Sequence, residues 1–157
     1  MAIEMKGEHV LAVGKLELWR LLNDLDVLKK AIPGCNAVER IVEDRYRLGL
    51  KLQVANVSGE YMGEIEIRDK REPDHYVLMV SGEGSIGFVK GEAVFDLEEG
   101  AAGGSLLRFV GTAEVGGVVA GVGQRVLIGV ARYLVERFFK SLRAHIAAGE
   151  TPAETQA

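Results

Sequence analysis

Between residues 44 and 115 the chain alternates apolar and polar residues almost without interruption, and a period of two leaves few folds open. In DRYRLGLKLQVA, Tyr46, Leu48, Leu50, Leu52 and Val54 fall on one side and Arg45, Arg47, Lys51 and Gln53 on the other. Side chains of an extended strand point alternately to its two faces, so such a run predicts a strand with one face buried. VSGEYMGEIEIRD repeats the pattern: Val57, Gly59, Tyr61, Gly63, Ile65 and Ile67 lie inward, with Ser58, Glu60, Glu64, Glu66 and Arg68 outward. REPD is a turn signal, and HYVLMVSG, FVKGEAVFDLEE and SLLRFVGTAEV read as further strands. The segment is an antiparallel meander, preceded by a first strand near Ile3–Leu11.

Helical signals flank the meander. LELWRLLNDLDVLKKAI, residues 16–32, predicts two short helices broken around Asn23–Asp24, the second stopped by Pro33-Gly34. Residues 118–147 read as one long helix. Arg125, Gly129, Arg132, Glu136, Lys140 and Arg143 fall in a narrow arc, with Leu127, Ala131, Leu134, Val135, Phe138, Leu142 and Ile146 mainly opposite. The expected fold is α+β: a curled antiparallel sheet of about six or seven strands gripping a long C-terminal helix, with two short helices after the first strand. One domain over residues 1–148 is expected, and GETPAETQA reads as a frayed tail covering 149–157. Gly59, Gly63, Gly91 and Gly111 occupy inward positions where bulk is expected. Such glycines either let a strand bend or leave an apolar cavity under the helix, and the two readings are compatible.

Several functions are disfavoured. A net charge of −4 argues against nucleic-acid binding. The single cysteine allows no internal disulfide and suits a reducing cytoplasm. MAIEMKGEHV has no apolar core of a signal peptide, and Gln124 and Arg125 interrupt the most apolar window, so no membrane span is expected. GEGSIG at 82–87 matches G-x-G-x-x-G, but a strand pattern follows it where a phosphate-binding helix is required, so a tight connection is the better reading. GVVAG at 117–121 matches G-x-x-x-G, a motif with meaning only inside a membrane span. His9, His75 and His145 lack metal spacing, and no metal or cofactor is expected. His75 is read as solvated and His9 as a core histidine, while Glu60, Glu64 and Glu66 read as a solvated face. Cys35 has no neighbouring histidine or second cysteine. Lys29 and Lys30 nearby favour its thiolate, but a small residue tucked against the sheet is the simpler reading. Residues 118–148 hold five Lys/Arg against one Glu, so this segment carries +4 and the remainder −8. A basic outer stripe would attract an anionic membrane surface or an acidic partner; ordinary solvated surface is the simpler account.

WRLLNDLDVLKKAIPGC (19–35) followed by SGEGSIGFVKGEA (81–93) resembles the CoxG family of carbon monoxide dehydrogenase subunits, within the START-like helix-grip superfamily. VSGEYMGEI (57–65) and the glycine-rich run at 116–125 are similar to further segments of that family, with Leu25 replacing its usual proline. The resemblance spans about residues 3–146. It implies a sheet wrapped around a long helix, an apolar cavity between them, and Pro33, Gly34 and Cys35 at the cavity mouth. It also implies association with a molybdenum-containing carbon monoxide dehydrogenase or a related hydroxylase, in its membrane recruitment, its maturation, or quinone carriage.

The leading expectation is a non-enzymatic, cytoplasmic binder of a quinone or lipid, peripheral to the membrane at most. The expected cavity lining is Leu50, Leu52, Tyr61, Val80, Phe109, Val126, Leu134 and Phe138. A second reading is an assembly factor acting through Arg132, Lys140 and Arg143. A third, weaker one is a cyclase-like enzyme needing inward polar groups from His9, Tyr46, Tyr61 and Tyr76.

Overall fold

In a computed structural model, residues 1–54 and 57–149 are described. The alternating runs become strands: β1 (Ala2–Leu11), β2 (Cys35–Val42), β3 (Arg45–Leu52), β4 (Gly59–Arg71), β5 (His75–Gly84), β6 (Gly87–Glu99) and β7 (Ser105–Gly116). They form one antiparallel sheet in the order β1-β7-β6-β5-β4-β3-β2. β1 and β2 thus occupy opposite edges, and the chain crosses between them through α1 (Lys15–Leu22) and α2 (Leu25–Ala31).

The two short helices end for local reasons. Asn23 Nδ2 donates to the Trp19 carbonyl at 2.8 Å, closing α1. Asp24 is extended and accepts from the Asp26 and Val27 amides at 2.9 and 3.4 Å, capping α2. Beyond α2, Gly34 takes φ +74°, and a Cβ there would lie 2.4 Å from the Lys51 carbonyl oxygen. Only glycine lets the loop return its carbonyl to the Lys51 amide, 2.9 Å away, and so start β2 along β3.

The sequence pattern does not predict β2. Its burial barely alternates, and an exposed edge strand leaves little apolar signature. The C-terminal helix is shorter than expected. Val118–Val122 is a 3-10 turn, and α3 runs Gln124–Ala147. Gly123 at φ +98° separates the two, a conformation no continuous helix contains. The GEGSIG run is a hairpin: β5 and β6 pair to Gly84↔Gly87, with Ser85 and Ile86 as the turn. The tail expected over 149–157 falls, apart from Gly149, outside the described residues.

α1, α2 and α3 pack on the concave face. Leu18, Trp19, Leu21, Leu22, Val27 and Leu28 from the short helices meet Leu11, Leu107, Phe109 and the α3 residues Phe139 and Leu142 in the main core. A smaller cluster of Val57, Val115, Val119 and Leu127 closes the end near the start of α3.

Candidate hydrophobic ligand-binding cavity

Between the sheet and α3 lies a cavity of about 410 Å³. Its origin is visible in the strand register. Gly91 stands opposite Ala113, and Ala93 opposite Gly111, so four adjoining inward positions on β6 and β7 carry at most a methyl group. Ala131 of α3 also contributes to the wall. Where the alternation demands bulk, the sequence supplies none, and the helix cannot sink further because larger residues hold it off elsewhere.

The rest of the wall is aliphatic and aromatic. Ile65, Ile67, Leu78, Val80 and Val89 come from the sheet, Leu22, Leu28, Ile32 and Pro33 from the short helices and their exit, and Leu134, Val135, Phe138 and Phe139 from α3. Glu92 and Thr112 also touch the cavity, but both are exposed on the convex face. Their backbone, uncovered by the small residues beside them, forms that part of the floor. Tyr76 is the one titratable wall residue with an inward side chain among the described residues; burial raises its phenol pKa far above the ordinary value, so it stays neutral. Its ring joins an aromatic chain: edge-on to Trp19 at 5.3 Å and stacked on Phe95 at 4.9 Å, which in turn lies 6.0 Å from Phe109.

Such a wall offers water almost no partners, and apolar cavities of this kind stay dry or take up hydrocarbon. The volume lies within the ~300–1,000 Å³ usual for small-molecule sites.

Of the residues expected to line it, Val80, Phe109, Leu134 and Phe138 are in the wall, as is Pro33 from the loop. Leu50, Leu52, Tyr61 and Val126 are not in the wall of this cavity, nor are Gly34 and Cys35. Leu50 and Leu52 share the inward face of β3 but lie at its far end, near β2 and the Gly34 loop. The Tyr61 hydroxyl donates to the Val57 carbonyl at 2.7 Å, and its ring covers Gly84. Val126 is 40% exposed, on the outer side of α3. Missed from sequence were Phe139, adjacent to Phe138, and the small-residue floor beyond Gly91 and Gly111. Ala93 and Ala113 become recognisable only once β6 and β7 are in register.

Polar candidates have other employment. Cys35 opens β2 opposite Leu50, and its thiol donates weakly to the Ala37 carbonyl at 3.5 Å. Burial pushes its pKa up more than Lys29 draws it down, so the thiol is not activated. His9 stacks on Phe139, ring centroids 3.8 Å apart, with an Arg143 guanidinium nitrogen 3.3 Å from Nδ1. Burial first, and then Arg143, lower its pKa. His75, expected to be solvated, instead sits 2.7 Å from Asp96. It belongs to a shallow charged depression with Arg71, Asp74, Glu98 and Arg108, largely neutralised by the Lys15–Asp74 pair and by Arg108 contacting Glu8 and Glu98. Tyr46 is buried in the main core, outside the cavity wall. No cluster of metal-binding side chains occurs among the described residues. No helix among them is long and apolar enough to cross a membrane.

The CoxG family of carbon monoxide dehydrogenase subunits matches residues 7–147. No curated protein matches the chain. Among solved structures, a conserved protein from Geobacillus kaustophilus is 41% identical, with TM-score 0.90 over 93% of this chain and 96% of its own. A START superfamily protein from Mycobacterium smegmatis, 14% identical, superposes with TM-score 0.76 over 92% of this chain and 97% of its own. The Zhui aromatase/cyclase from Streptomyces sp. R1128, 12% identical, does so with TM-score 0.69 over 98% of each chain. These last two likenesses establish the START-like fold and nothing finer.

Proposed function

Because the chain belongs to the CoxG family of carbon monoxide dehydrogenase subunits, we propose that it is a non-enzymatic carrier of a quinone or lipid, serving a molybdenum-containing carbon monoxide dehydrogenase or a related hydroxylase. The observation that carries this reading is the apolar cavity of about 410 Å³, floored by Gly91, Ala93, Gly111 and Ala113. Each methylene moved from water into it contributes about 0.8 kcal/mol, so an isoprenoid or acyl chain binds without a dense set of polar contacts. Val80, Phe109, Leu134 and Phe138 are the contacts we assign to that chain, with Pro33 beside them. An enzyme of the aromatase/cyclase kind needs an acid and a base converging on the substrate. The Tyr76 phenol, with its raised pKa, supplies at most one of these, which favours the carrier reading.

Native mass spectrometry of protein purified without detergent, followed by organic extraction, tests the reading. A quinone or lipid at near-stoichiometric amount is the expected result. An apo mass that stays unchanged after incubation with quinones and lipids would remove the carrier reading. Phe138→Asp, which places a charge in the wall, is expected to abolish uptake.

A further inference from the structure

Gly129 stands in the exposed arc of α3, and nothing comes within 4 Å of a Cβ built there. The residues three and four positions away, which surround it on the helix surface, are Arg125, Val126, Arg132 and Tyr133, and all are exposed. Val126 and Tyr133 keep 40% and 45% of their surface in solvent. Tyr133 is oriented by Arg137, whose guanidinium donates to the phenol oxygen at 2.8 Å and lies 5.7 Å from the ring centroid. Among the described residues, Arg125, Arg132 and Lys140 enter no salt bridge. Several cations of the sheet, by contrast, are paired: Arg45 with Glu64, Arg68 with Glu66, and Arg108 with Glu8. This acidic protein therefore carries a band of unneutralised positive charge along one helix face, interleaved with an aliphatic and an aromatic side chain.

We propose that this face of α3 docks on an anionic lipid bilayer. Arg125, Arg132 and Lys140 would meet the headgroups, while Tyr133 and Val126 reach the headgroup–acyl boundary, the depth that amphipathic rings and small apolar side chains favour. A second copy of the chain does not fit. Pairing two such faces about Gly129 brings the Arg125 and Arg132 side chains of both copies together. An acidic protein fits less well, because the face is a convex helix carrying long, mobile cations and both concavities of the molecule lie elsewhere. Position strengthens the case. The opposite side of the same helix supplies Ala131, Leu134 and Phe138 to the cavity wall. A helix is about 10 Å across, so docking holds the cavity one helix diameter from the phase in which a lipophilic ligand resides. This purpose rests on the ligand-binding reading above; the docking itself is measured separately.

The experiment is co-sedimentation of the full chain with vesicles of phosphatidylcholine alone, or of phosphatidylcholine with phosphatidylglycerol, at low and high salt. Binding is expected only to the anionic vesicles, and it should weaken as salt rises. Each neutralised cation near the surface lowers partitioning about fivefold, so Arg125→Gln with Arg132→Gln should bind roughly 25-fold more weakly. The double variant should keep the wild-type thermal melt and the wild-type uptake of a short-chain quinone added from ethanol, since neither arginine lines the cavity. Three outcomes would overturn the proposal: no binding of the wild type to anionic vesicles, equal binding to neutral ones, or a double variant that binds as well as wild type. The first would return this face to the acidic-protein alternative. Intact vesicle binding with no quinone uptake by the wild type would instead strike the ligand reading and leave the docking surface standing.

Discussion

The concave face of the sheet has two ends built on the same strands by the same alternation, and only one of them is full. At one end Leu107 of β7, Leu97 of β6 and Leu11 of β1 meet Trp19, Phe139 and Leu142, and Leu107 and Leu142 have no solvent exposure at all. A few residues along the same strands, the inward positions are Gly91, Ala93, Gly111 and Ala113, and the space stays open. Period two therefore decides which face is buried, while side-chain volume at each inward position decides whether burial produces a core or a cavity. The filled end holds the helices at a fixed height above the sheet, and that height keeps the other end from collapsing.

Truncation should separate the two ends most sharply. Leu142→Ala removes a side chain packed on every side and should cost about 2–5 kcal/mol. Leu134→Ala, whose side chain already faces open space, has fewer packing partners to lose and should cost nearer ~1 kcal/mol. Urea unfolding of both variants measures the difference, and equal costs would mean that the cavity is not open in solution.

Adding volume gives a finer test. A Cβ on Gly111 meets only ordinary contacts, the nearest being the Ala93 methyl at 3.5 Å. Gly111→Ala should thus be neutral or should stabilise by up to about 1 kcal/mol, since glycine in a strand is entropically costly. A Cβ on Gly91 would lie 2.5 Å from the Thr112 carbonyl oxygen, so Gly91→Ala forces β6 and β7 apart and should destabilise by about 1–3 kcal/mol. Gly111→Leu then fills the cavity from a tolerated position. Loss of quinone uptake with a near-normal melting temperature is expected; undiminished uptake would move the ligand elsewhere.

These contrasts also explain how far the sequence could be read. Alternation placed β3 to β7 and the inward faces because each strand buries one side. It was silent on β2, which buries little of either side. Helical periodicity found α3 but ran it back through Val118, because Val118, Val119 and Val122 fit an apolar helix, whereas the backbone turns at Gly117 and Gly123. In the cavity, the pattern supplied face but not depth along the strand. Val80 and Phe109 and the misplaced Leu50 and Leu52 look identical by alternation, and only the cross-strand register distinguishes them.

A smaller effect concerns helix energetics away from both ends. Gly129 lies mid-helix, exposed and unopposed, so Gly129→Ala should raise stability by up to about 1 kcal/mol through propensity alone. Gly123 offers equal space but sits at φ +98°, and Gly123→Ala should destabilise by a similar amount. Thermal melts of the two variants should move in opposite directions. A shift of the same sign would show that the break before α3 does not persist in solution.

The weakest expected effect belongs to the filled end alone, through His9. This imidazole stacks between Phe139 and Phe109 and lies beside Arg143, with Glu136 as the one nearby acid that opposes the shift. Burial, followed by Arg143, holds its pKa below the ordinary value of about 6.5. The unfolded chain, whose histidine keeps the ordinary value, therefore binds the proton more readily than the folded one. The contribution of neutral His9 to stability is present in full above about pH 6.5 and declines as pH falls toward the folded-state pKa. Solvent still reaches part of the ring and screens the repulsion from Arg143, which keeps the change small. His9→Phe preserves the stack and removes the titration. Its urea midpoint should stay flatter than that of the wild type between about pH 6.5 and pH 5, above the range in which ordinary carboxylates titrate. Parallel profiles would mean that the ring is neutral in both states over that window. In the cavity wall the only inward titratable group among the described residues is the Tyr76 phenol, which does not ionise in this range, so a ligand held there would sense acid only through the helix it shares with the filled end.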